Sequence, residues 1–79
     1  MASKLRNNFL TLLAEKEKRE QRRIRTSEIA LKTEISVPTV NRWLRNEVTK
    51  FETPVLEAFC DYFDCDLCDL LIMERTAKD

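Results

Sequence analysis

Apolar residues recur along this chain mostly at helical spacing, and turn-forming residues divide them into five segments. Leu5, Phe9, Leu12 and Leu13, with the aliphatic stem of Lys16, fall on one face of a first helix predicted over Lys4 to Glu20, with Ser3 as N-cap. Ile29, Ala30 and Thr33 share one side of a second helix, capped by Thr26 and carrying Glu28 in its first turn. Ile35 lies in a tight turn, after which Val40, Trp43 and Leu44 give a third helix its buried face. Ser36 caps that helix, Pro38 stands in the first turn where a missing N–H costs nothing, and Asn46, tolerant of left-handed backbone, closes it. Thr53-Pro54 starts a fourth helix with Val55, Leu56, Phe59, Cys60 and Phe63 inward, and Asp66 caps a short fifth with Leu67, Leu70 and Leu71 inward. The expected fold is all-α, with five helices in one domain over residues 1–74 and a flexible tail at 75–79.

The second and third helices carry the informative chemistry. Small Ala30 lets them cross closely, and Val37, Pro38, Asn41, Arg42 and Arg45 project away from the apolar seam. Asn41 suits an adenine edge, Arg42 or Arg45 a guanine or a phosphate, and the Val37 methyls a thymine methyl. An ordinary amphipathic helix with solvated polar residues is the competing reading of the same face. Trp43 is read as core rather than as a stacking platform.

The stretch Thr26 to Asn46, TSEIALKTEISVPTVNRWLRN, resembles the helix-turn-helix of the phage Cro and lambda-repressor family, the xenobiotic-response-element type. The likeness continues through Phe51-Glu52-Thr53-Pro54-Val55-Leu56-Glu57-Ala58-Phe59-Cys60, then Phe63-Asp64-Cys65 and Asp69-Leu70-Leu71. This is similar to a small-protein branch whose fourth helix ends in a Cys and whose short fifth helix begins Asp-Leu-Leu. The resemblance implies a five-helix lambda-repressor-like domain, helix-turn-helix at helices 2 and 3, with the third helix in the major groove and Lys50 meeting backbone phosphate from the following loop. Arg22, Arg23 and Arg25 before the second helix, together with Thr26, Ser36 and Thr39, complete the expected phosphate contacts. One departure is plain: the chain has no glycine, and Glu34, Asn46 and Cys68 stand where relatives usually carry one. A left-handed Glu34 costs on the order of 1 kcal/mol.

Net charge is +0 and the pI about 6.3, which taken alone argues against a nucleic-acid partner. The distribution reverses that inference: residues 1–50 carry 12 Lys and Arg against 6 Asp and Glu, and residues 51–79 carry 2 against 8. The charged run Glu15 to Glu20 reads either as a solvated helix end held by neighbouring ion pairs or as a basic arm on a phosphate backbone. Three cysteines and no histidine fall short of a four-ligand zinc site, so no metal or other cofactor is expected, and Cys60 and Cys65 read as small hydrophobes at the corner between helices 4 and 5, with a disulfide switch as the competing reading. No signal peptide, membrane span or catalytic signature stands out, which points to a cytoplasmic non-enzyme. The expected function is sequence-specific binding of double-stranded DNA in transcription regulation, as a homodimer on a short palindrome. Two alternatives stand beside it: a protein-interaction module, antitoxin-like, whose apolar and acidic C-terminal half engages a partner, and a domain of this fold that has lost DNA binding.

Overall fold

A computed structural model describes residues 3–75. The element order is β1 (Ser3–Asn7), α1 (Phe9–Glu20), α2 (Thr26–Thr33), α3 (Val37–Leu44), α4 (Thr53–Phe63), α5 (Leu67–Leu70) and β2 (Leu71–Arg75). The five helices are present, but the fold is not strictly all-α. β1 and β2 pair antiparallel, in a register running from Ser3 opposite Arg75 to Asn7 opposite Leu71.

The strands correct the reading of residues 4–7 as helix. Leu5 stands four residues before Phe9, which mimics helical spacing, yet the chain changes conformation at Asn7 and Asn8. The Asn7 side-chain oxygen accepts the Phe9 N–H at 3.0 Å, and the Asn8 N–H donates to the Leu70 carbonyl at 2.7 Å. Asn8, not Ser3, is therefore the N-cap of α1, and Leu5 lies 41% exposed on the strand instead of in the core. The expected tail also shifts, because β2 carries the chain through Arg75. Residues 76–79 lie outside the described residues.

The core is built on aromatic edges. Phe9, Trp43, Phe59 and Phe63 are buried together with Leu13, Ile24, Ile29, Val40 and Leu70. Phe9 meets Phe59 and Phe63 edge-on at 4.9 and 5.1 Å between centroids, and Trp43 meets Phe59 at 5.0 Å, geometries in which positive ring edges face negative ring faces. Burying Trp43 to 2% exposure fixes the rotation of α3 and so decides which of its residues face outward. Leu67, read as inward, is 49% exposed; α5 is a single turn, and only Leu70 points into the core.

Candidate nucleic-acid interface

Each boundary of the α2–turn–α3 unit has a local cause. α2 begins one residue away from expectation. Arg25, with extended backbone, is the N-cap, its carbonyl accepting from Glu28 and Ile29 N–H, and Thr26 opens the helix instead of capping it. Glu34 ends α2 in the left-handed conformation at φ 62, as the family's glycine position implied. The Thr33 hydroxyl donates to the Ile29 carbonyl at 2.7 Å and accepts the Ile35 N–H at 3.3 Å, so one side chain holds both sides of the turn. Ser36 caps α3 by accepting the Thr39 N–H at 3.4 Å, and the two hydroxyls lie 2.9 Å apart. α3 closes after Leu44, with Asn46 left-handed at φ 57 and the Glu47 N–H returning to the Arg42 carbonyl.

With Val40 and Trp43 buried, the opposite face of α3 carries Val37, Pro38 and Arg42 exposed and Asn41 half-exposed, with Arg45 exposed just past the helix end. The side chains of Asn41 and Arg42 have no hydrogen-bond or ion-pair partner among the described residues. Arg45 lies 3.4 Å from Glu47, but both side chains are more than half exposed, and so open a pair is readily exchanged for another anion. Lys50 follows on a loop fixed from beneath, where Phe51 stands edge-on to Trp43 at 5.7 Å and Val48 packs on the core. Thr39, Arg42 and Lys50, with Glu52, line one groove of about 260 Å³, which brings the end of α3 and its loop to one surface.

The three arginines before α2 are not equivalent. Arg22 grips Glu28 with two nitrogens at 2.9 and 2.6 Å and also reaches Glu20 at 2.9 Å. That grip holds the Glu28 carboxyl below its ordinary range, first through the Arg22 hydrogen bond, and holds the guanidinium charged. The Lys16 contact at 2.9 Å lowers Glu20 in the same way. Arg23 and Arg25 are exposed and have no such partner among the described residues.

Ile24, which sequence reasoning passed over, sets this connection together with Glu17 of the charged run. The Ile24 side chain is buried, and its N–H donates to a Glu17 carboxylate oxygen at 2.9 Å. The signal was one apolar residue isolated in a run of arginines. The charged end of α1 fits the reading of a helix end held by neighbouring ion pairs, with Lys16 2.9 Å from Glu20, and Glu17 in addition anchors the connection while Lys16 stands 4.8 Å above the Tyr62 ring. Cys60 and Cys65 pack half-buried against the core, and burial pushes the Cys65 thiol up to about 11 and the Cys60 thiol in the same direction. Cys68 is exposed within α5, and the left-handed residue nearest to it is Asp64, which closes α4.

Residues 16–75 match the family described as the Cro/C1-type HTH DNA-binding domain. The chain belongs to this family. No curated protein and no solved structure matches it. The matched region of this Cro/C1-type domain takes in α2, α3 and the loop bearing Lys50, and leaves out β1 and the start of α1. No described helix is long and apolar enough to cross a membrane.

Proposed function

We propose that this Cro/C1-type domain is a sequence-specific regulator of transcription that seats α3 in the major groove of duplex DNA. The observation that carries the reading is the outer face of α3, where the Asn41 amide and the Arg42 guanidinium have no internal partner among the described residues, on a helix whose rotation Trp43 fixes. In the proposed complex Asn41, Arg42 and Arg45, flanked by Val37 and Pro38, read base edges. Lys50, Arg23 and Arg25 neutralise phosphates, with Thr26, Ser36 and Thr39 supplying neutral contacts. Arg22, gripped by Glu28 and Glu20, takes a positioning role by shaping the connection that presents Arg23 and Arg25. One unit this small covers few base pairs, so the working form is a homodimer on a short palindrome, acting in the cytoplasm as a binding protein without catalysis.

Selection of bound sequences from a random duplex pool, followed by salt titration, tests the reading. Asn41→Ala weakens binding to the selected site by about 1 to 3 kcal/mol and changes binding to random duplex little. Lys50→Ala weakens both alike and flattens the salt slope by about one unit. A wild-type protein without salt-sensitive binding to any duplex removes the proposal.

A further inference from the structure

The α4–α5 face carries chemistry that DNA binding leaves unused. From Phe51 to Glu74 the chain has no Lys or Arg, against seven Asp and Glu. On this face an open groove of about 590 Å³ is lined by Thr53, Leu56, Glu57, Cys60, Asp61 and Leu67. Its apolar part consists of half-buried Leu56 and Cys60, with Leu67 half exposed at the lip. Glu57 and Asp61, four residues apart and so one helical turn, are exposed on its edge without an ion-pair partner among the described residues.

This charge arrangement selects the occupant. A second copy docked on a twofold axis brings the same carboxylates face to face, and covering unpaired anions costs several kcal/mol. Duplex DNA is repelled for the same reason. An apolar side chain flanked by lysine or arginine fills the groove and neutralises its rim together. We propose that the α4–α5 groove docks a basic amphipathic helix of a partner protein, an apolar residue seated on Leu56, Cys60 and Leu67 and cations on Glu57 and Asp61. The assignment is independent of DNA reading, because the groove is built from elements other than α3.

The test titrates the isotope-labelled full chain with a 15-residue helix-forming peptide of leucines at positions i, i+3, i+4 and i+7 among lysines. Two control peptides replace the lysines by glutamate or the leucines by alanine. The leucine–lysine peptide shifts the amide resonances of Leu56, Cys60 and Leu67, and each control binds at least about tenfold more weakly. Leu67→Ser, and separately Glu57→Lys with Asp61→Lys, lower affinity by about tenfold or more while retention on duplex DNA stays as in the wild type. Equal binding of either control, resonance shifts confined to other elements, or undiminished binding by both variants overturns the proposal. So does a Leu67→Ser protein that sediments as a monomer where the wild type sediments as a dimer, since the groove is then a contact between copies.

Discussion

Among the described residues four hold positive φ: Gln21, Glu34, Asn46 and Asp64, at 55, 62, 57 and 54°. Each follows the end of a helix or its cap, where a side chain pressed against its own backbone makes the conformation costly for most L-residues. Gln21 and Glu34 make no compensating side-chain bond there among the described residues. Gln21→Gly and Glu34→Gly should each raise unfolding free energy by up to about 1 kcal/mol, read from urea midpoints. Asn46→Gly should go the other way, because the Asn46 side-chain oxygen accepts the Asn7 N–H at 3.0 Å, a bond worth about 1 kcal/mol. A common sign across the three variants disproves this division. The thiols separate similarly. In alkylation near pH 8, exposed Cys68 should react first, while Cys60 and Cys65, both half-buried and raised by burial, should lag, Cys65 until the pH approaches about 11 or the chain unfolds. By linkage, the raised Cys65 value contributes stability that is complete below the ordinary thiol range and declines as pH rises through about 11.

At the level of elements, α2, α3 and α4 were legible because start signals and apolar spacing agree over each of them to within a residue, although only α3 has the expected cap. Ser36, Pro38, Thr53 and Pro54 mark starts that the structure repeats. The strands were not legible, since five residues give too short a window for a period and β1 finds its partner only at residues 71–75. Sequence likewise singled out the outer face of α3 but treated Arg22, Arg23 and Arg25 alike, because the carboxylate that grips Arg22 comes from the next helix. The Arg22–Glu28 pair ties the connection to α2 and has a pH signature. A depressed carboxyl contributes stability present above its unfolded value and lost as pH falls through its folded value. Glu28→Gln should therefore be less stable than the wild type at neutral pH, and the two urea midpoints should converge in acid, well below the ordinary carboxylate range. Parallel curves at every pH mean that the pair makes no net contribution.

Across the whole molecule, the β1–β2 pairing joins residues far apart in sequence, and Leu5 stands opposite Met73 with both side chains exposed. A disulfide made by Leu5→Cys with Met73→Cys, in a background where the three native cysteines are serine, should stabilise the oxidised over the reduced form by about 2 to 4 kcal/mol, seen in denaturation with and without reductant. No difference between the forms implies another register. The same pairing orders events during synthesis. β1 is translated first and waits through every helix for Leu71 to Arg75, whereas α2 and α3 have all the residues of their shared seam once Leu44 is made. A nascent or truncated chain that stops before Leu71 thus carries the α3 face without the sheet and leaves Leu70 and Phe9 less protected. The cell's proteases should distinguish it from the finished protein by that late closure.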